Sequence, residues 1–299
     1  MKKRPALNWL VPLIIVLTLI TAGVGLFYRV GSGPFPFTTV HGESIQMSGQ
    51  GIYFHDTLFT ASLSWGTDLV TLLICLPLLA LSAWLYHRGS LRGGILLTGV
   101  LAYFLYYGAS LGLGTAYNRL FLVYIALFSA SFYAFILAFT AFDLDSLAER
   151  ISPRVPRRGM AIFMIVVGLG LALIWLSDAV AAVIENRPPA ALGPYTTVVT
   201  YTLDVGIIAV ACILAAIQLF RRAPMGYLLS GVLNIMLALV AAMVIGQTVM
   251  QLRAGVPLTP GEIIGKSASF VVMGAVAIWL TIVLLRSISD RSPSRAENV

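Results

Sequence analysis

Charge is what this sequence has least of. Asp, Glu, Lys and Arg make up 10% of its 299 residues, where a soluble globular domain carries roughly 25%. A chain of this length cannot clothe a water-facing surface with so few charges. A soluble enzyme, a nucleic-acid binder and a disordered tail protein are excluded on that ground. Acidic residues are the scarcer kind, 12 against 19 basic. In a soluble protein the resulting charge of +7 would point to an acidic partner; here the bilayer is the place to look first. Histidine is sparse too. His41 and His55 share one connecting loop and His87 ends an apolar run, so no pair faces itself across helices and a b-type haem is disfavoured. CxxC, CxxCH, HExxH and a complete P-loop are missing, and the matching redox, zinc, protease and nucleotide chemistries go with them. Cys75 and Cys212 fall inside apolar runs at depths differing by roughly 10 Å, too far apart for a disulfide. His41, Glu43, His55 and Asp56 fit no metal-ligand spacing, and Lys266 lies too near a run's end for a retinal Schiff base. No metal and no cofactor is expected.

What the sequence has in abundance is apolar length. Apolar residues reach 59% and the mean hydropathy is +0.93. A bilayer core needs about 20 apolar residues in a helix. Eight such runs occur, near residues 8–28, 65–86, 94–114, 119–142, 159–184, 195–220, 226–252 and 263–286. They are apolar all round, without the period-2 alternation of a membrane barrel, and backbone groups in lipid must satisfy one another, so the runs are helices. The basic lead Lys2-Lys3-Arg4 precedes the first run, which is long and lacks a small-residue cleavage site; it reads as an uncleaved anchor. The predicted fold class is an all-α membrane protein, a bundle of about eight transmembrane helices with a structured outer loop between helices 1 and 2.

Orientation follows from Lys and Arg. With the N-terminus inside, Arg29, Arg119, Arg187, Arg253 and Lys266 fall outside, and the other fourteen of the 19 basic residues fall inside. That is the positive-inside pattern, and it places both termini in the cytoplasm. Residues 1–286 then form one polytopic membrane domain, with an outer loop at 29–64 and a cytoplasmic loop at 143–158. Residues 287–299 read as a polar, disordered cytoplasmic tail. The outer loop opens with Gly31-Ser-Gly-Pro-Phe-Pro-Phe37, continues with an alternation about Ile45 and Met47, and carries a turn signal at Gly49-Gln-Gly51. A short hairpin or flap over the outer mouth is predicted. The cytoplasmic loop, acidic at Asp143 and basic from Arg150 to Arg158, reads as a short amphipathic surface helix. Gly108, Gly112 and Gly114 suit close helix packing, and Pro77 should kink the second span.

Ionisable residues inside a membrane are expensive, so each is a candidate site by default. Counted from the run ends, Asp68, Asp178, Asp204, Lys266, Gln247, Gln251, Asn118, Arg119, Tyr106 and Tyr107 all fall in the outer half. The inner half holds Asn234, Gln218 and scattered hydroxyls. That asymmetry suggests a polar pocket opening outward. Asp204, placed about nine residues into the sixth run, is its centre. Thr200 and Tyr201 share its face, and Lys266 or Asp178 is its expected partner, since an isolated mid-membrane carboxylate must be paired, protonated or solvated. Asp68, in Trp65-Gly-Thr-Asp68, can also be a helix N-cap.

Two stretches are familiar: Gly49-Gln-Gly-Ile-Tyr53 with Asp56-Thr57, followed by Asp68-Leu-Val-Thr-Leu and Leu76-Pro77, and Arg88-Gly-Ser-Leu-Arg-Gly93 with Tyr117-Asn118-x-Leu-Phe-Leu-x-Tyr124. Over roughly its first half the chain resembles a family of uncharacterised bacterial multi-pass membrane proteins. The resemblance implies a bacterial inner-membrane location and no activity, and it draws attention to Asp68, Asn118 and Tyr124. The preferred expectation is non-enzymatic: a transporter-like or sensor-like protein with a solute or proton site formed from Asp68, Asp178, Asp204, Lys266, Gln247, Asn118, Arg119 and Tyr107. The rivals are a membrane-embedded enzyme acting on a lipid or isoprenoid at the outer leaflet, with an aspartate as acid or base, and an accessory subunit packed against a membrane-protein partner. The lipid bilayer is the expected partner in every case, nucleic acid in none.

Overall fold

The computed structural model describes residues 1–289, the side chains of Glu262 and Lys266 excepted. The protein is all-α, 73% helical. Among the described residues, eight helices are long and apolar enough to cross a membrane: α1 (Leu7–Phe27), α2 (Leu58–His87), α3 (Leu91–Gly114), α4 (Phe121–Phe139), α6 (Arg157–Ile184), α7 (Tyr201–Phe220), α8 (Pro224–Arg253) and α9 (Ser269–Ser287). A short helix, α5 (Leu144–Arg150), lies in the connection after α4. As expected from its acidic start, Asp143 caps α5, its Oδ1 accepting the Ser146 N–H at 3.4 Å. Leu147 anchors that helix by burial.

Two helices form the centre. α3 and α8 are buried along most of their length and pack on each other; α3 also packs on α2 and α4, and α8 on α2, α7 and α9. Small residues permit this. A Cβ on Gly66 would strike the backbone of α8 at Gln247, and one on Gly246 would meet the Val70 side chain and the Gly66 carbonyl. α2 and α8 therefore touch almost backbone to backbone, the geometry small residues allow in lipid. Gly108 performs the same service against Phe128 on α4, while Gly112 meets nothing. The outer helices leave apolar side chains open: Trp9 is 82% exposed and Val183 82%. Such faces are stable against lipid tails and not against water.

The two ends of the bundle differ. At one end the chain termini converge. Lys2 N donates to the Ala141 carbonyl, Ile151 bridges Ile288, and Ser289 N donates to the Arg150 carbonyl. The start of the expected tail is thus tied down; residues 290–299 lie outside the described residues. At the other end sits the connection between α1 and α2. There β1 (Phe35–Thr38) pairs antiparallel with β2 (Ser44–Met47), Phe35 opposite Met47. The hairpin turns at residues 39–43, with Gly42 at φ 83°, and not at Gly49–Gly51 as the glycines suggested. Those two glycines have another task. Both sit at φ 61° and lie so close to the Gly33 carbonyl and the Tyr28 carbonyl, respectively, that side chains would not fit. They fold the chain back under the hairpin into the 3₁₀ turn Gly51–Tyr53.

Among the described residues π-helical turns occur at Thr71–Cys75 in α2, at Tyr201–Ala209 opening α7, and at Ile264–Ala268 leading into α9. The first answers Pro77. Proline lacks the donor its turn requires, and the turn before it widens instead of breaking, with Leu76 N reaching the Thr71 carbonyl. α2 also begins earlier than its apolar run implies. Thr57 caps it, its Oγ1 accepting the Thr60 N–H at 3.0 Å. The hydroxyls of Ser62, Ser64 and Thr67 bond to carbonyls of their own helix, so its polar first turns can be helical. α7 begins later, since Gly193-Pro194 and the turns around them occupy 190–198.

Candidate functional site

The polar residues at the hairpin end do not form one pocket. They divide into an open cavity centred on Asp204 and a closed cluster centred on Asp68, with Asp56 and Asp178 holding loops at the rim.

Asp204 is the fourth residue of α7, inside its opening π segment, and so lies nearer the helix end than the run beginning at 195 implied. It is 9% exposed. Its Oδ1 accepts the Tyr106 hydroxyl of α3 at 3.0 Å, and its Oδ2 accepts the Trp175 indole N–H of α6 at 2.8 Å. Asp178 is held elsewhere, and the Lys266 side chain lies outside the described residues. Tyr201, expected on the polar face with Asp204, turns away and donates to Asp178 Oδ2 at 2.5 Å. A π-turn carries more than four residues per turn, so the faces counted on an α-helix no longer apply.

Asp204 stands in the wall of a cavity of about 560 Å³ bounded by α2, α3, α6, α7, α8 and the approach to α9. Most of the lining is apolar, including Met236, Met243, Met273 and Phe270. The polar lining includes Thr200, Gln247, Thr248 and Gln251. Gln247 is secured, its Nε2 donating to Thr67 Oγ1 at 3.0 Å. Gln251, one turn further along α8, is not: it is fully buried, and neither its amide nitrogen nor its amide oxygen has a hydrogen-bond partner among the described residues. Leaving a buried amide unmatched costs about 1–3 kcal/mol per group. Two π segments meet this cavity, through Asp204 and Ile208 on one side and Gly265 on the other.

Asp68 is no N-cap. It lies well inside α2, fully buried. Its Oδ1 accepts the Tyr107 hydroxyl at 2.7 Å and its Oδ2 the Tyr53 hydroxyl at 2.8 Å. Tyr107 and Tyr103 stack with centroids 6.4 Å apart, and Tyr103 pairs with Thr71 at 2.7 Å beside the π-turn of α2. Arg29, at the mouth of this cluster, places its guanidinium 3.8 Å over the Trp65 ring and donates to the Leu26 carbonyl at 3.0 Å. Burial lowers the Arg29 pKa and the field of Asp68 opposes that shift. Burial likewise pushes the Tyr53 phenol well above its ordinary value, and Asp68 adds to that rise.

The remaining expected residues hold loops. Asn118 shapes the turn before α4: its Oδ1 accepts Leu120 N at 2.9 Å, and its amide donates to the Ala116 carbonyl at 3.2 Å and to the Tyr124 hydroxyl at 3.4 Å. Arg119 is exposed. Asp178 accepts Ala190 N at 3.3 Å and lies 3.7 Å from Arg187, which Glu185 also engages at 2.5 Å. Composition pointed past one carboxylate. Asp56, fully buried, binds three segments together: its Oδ1 accepts Ala116 N at 2.8 Å from the loop after α3 and the Tyr195 hydroxyl at 2.9 Å from the loop before α7. Its Oδ2 has no hydrogen-bond partner among the described residues. Burial raises its pKa from the ordinary carboxylate value to about 6, against the lowering effect of those two donors. Its sequence signals were the Asp56-Thr57 stretch of the family resemblance and its place among the loop residues His41, Glu43, His55 and Asp56, which fit no metal-ligand spacing.

No protein-family model matches the chain, and no curated protein or solved structure is detectably similar to it. A polytopic membrane protein is what the eight apolar helices and their lipid-suited faces support.

Proposed function

We propose that this chain is a transporter-like or sensor-like protein of the bacterial inner membrane, with both termini cytoplasmic and a solute- or proton-binding cavity in the outer half of the bilayer. One observation carries the proposal: Asp204 projects from a π-helical turn into the wall of the 560 Å³ cavity, and the buried amide of Gln251 lines the same space without a partner. Tyrosine and tryptophan donors stabilise a carboxylate without neutralising it. A cavity so apolar leaves that charge to a proton or to a ligand. Widened turns at such a wall are where a helix changes shape at least cost. The separation of Asp68 from the cavity, enclosed by its two tyrosines, favours binding over an acid–base pair sharing one cleft.

Cysteine accessibility in lipid nanodiscs tests this reading. Thr200→Cys and Gln247→Cys, both lining the cavity, should react with a water-soluble maleimide. Asn234→Cys, fully buried away from it, should not. Equal inertness of all three would remove the cavity as a solute site.

A further inference from the structure

Resting on that reading, we infer that the cavity takes a lipophilic cation: a molecule with one positive charge, ammonium or another onium centre, on an apolar aromatic or alkyl body. Three features of the lining point to this class. The first is charge. Asp204 is the carboxylate among the described lining side chains, and both its hydrogen bonds come from neutral donors, the Tyr106 hydroxyl and the Trp175 indole. A carboxylate has about four lone-pair directions, so two remain for a ligand. Neutral donors do not cancel the charge of Asp204, and a cationic group on the bound molecule would.

The second feature is the material of the wall. Tyr106, Trp175 and Phe270 bring aromatic rings to it, and ring faces attract cations, most strongly where water is excluded. Met236, Met243 and Met273 bring flexible, polarisable side chains that repack around apolar bodies of differing shape. An anion would meet the carboxylate and the negative ring faces together. A small hydrophilic solute would leave nearly all of the wall unmatched. The third feature is Gln251, whose unpartnered amide offers one donor and one acceptor to a polar substituent on the ligand. This places Asp204 as the charge-recognising residue and Gln251 as a second anchor.

The test uses the full chain in zwitterionic nanodiscs with radiolabelled tetraphenylphosphonium, and tetraphenylborate as its anionic isostere. Empty nanodiscs correct for partition into lipid. Saturable tetraphenylphosphonium binding is expected, with no saturable binding of tetraphenylborate. Asp204→Asn should weaken binding at least tenfold and Asp204→Glu much less, while Gln251→Leu costs a few-fold. Met243→Trp, which fills the cavity and leaves the carboxylate in place, should abolish binding; it serves if the Asp204 variants fail to fold. Equal saturable binding of the two isosteres, or binding indifferent to Met243→Trp, overturns the assignment. Absent binding while Thr200→Cys and Gln247→Cys still label overturns the cation and leaves the cavity standing. Absent labelling of those two cysteines removes both.

Discussion

Gly25 touches Asp68: a Cβ built at Gly25 on α1 would overlap Oδ2 of Asp68, the oxygen that accepts the Tyr53 hydroxyl. One missing side chain thus makes room for a buried carboxylate, and the carboxylate draws α2, α3 and the 3₁₀ turn together beneath the hairpin.

Gly25→Ala should therefore lower the thermal stability of the purified protein. Forcing a methyl group into filled space costs about 1–3 kcal/mol. Gly23→Ala on the same helix meets nothing within 4 Å and should change stability by less than about 0.5 kcal/mol. Equal melting curves for the two variants would mean that α1 does not pack on Asp68 as described.

Removing the acceptor should cost more than removing one donor. Asp68→Ala leaves the buried hydroxyls of Tyr53 and Tyr107 unmatched, at about 1–3 kcal/mol each. Tyr107→Phe removes one hydrogen bond, at about 1 kcal/mol. In the double variant the Tyr107 cost should largely vanish, because its partner is already gone. Denaturation of the three variants in one detergent measures the coupling directly.

Asp56 gives the hairpin end a dependence on pH. Its folded pKa, about 6, lies above the ordinary carboxylate value, so the folded state holds the proton more tightly than the unfolded one. Its contribution to stability is full below the unfolded pKa near 4 and is lost as pH rises through 6. A shift of that size bounds the effect at about 3 kcal/mol. Subtracting the melting profile of Asp56→Asn from that of the native protein between pH 4 and 7 should leave a difference that declines across that window. A flat difference would show that Asp56 is solvated or otherwise compensated.

The two ends of the bundle should face opposite compartments. Reporter fusions after residue 289 should read cytoplasmic, and reporters inserted at Gly42, the tip of the hairpin, should read external. An external reading at both sites would overturn the orientation on which the outer-half assignment depends.

Much of the architecture was legible because its cause is local. A run of about 20 apolar residues admits one structure in lipid whatever surrounds it, so the eight spans could be read directly. The acidic start at Asp143 and the basic end from Arg150 announced the short helix α5 in the same way. Boundaries failed where local chemistry hid them: hydroxyls at Ser62 and Ser64 look polar in sequence but bond to carbonyls one turn back. The hairpin turn was misplaced because Gly49 and Gly51, strong turn residues in isolation, serve a close approach to distant backbone.

The sequence by itself determined the class of protein, the number of spans and the end of the bundle where polar residues collect. Those follow from hydropathy and charge summed along short stretches. Only the tertiary structure decided which polar residues meet. Asp68 joins Tyr107 and Tyr53, Asp178 joins Tyr201, and Asp204 joins Tyr106 and Trp175. In each case a neutral aromatic donor holds the carboxylate, and Asp178 also lies 3.7 Å from Arg187. Helix phase and close approach select these pairs. π-turns at Thr71–Cys75 and Tyr201–Ala209 shift the phase, and glycines at 25, 66 and 246 set the approach. Both act between segments far apart in the chain, where no periodicity carries the information.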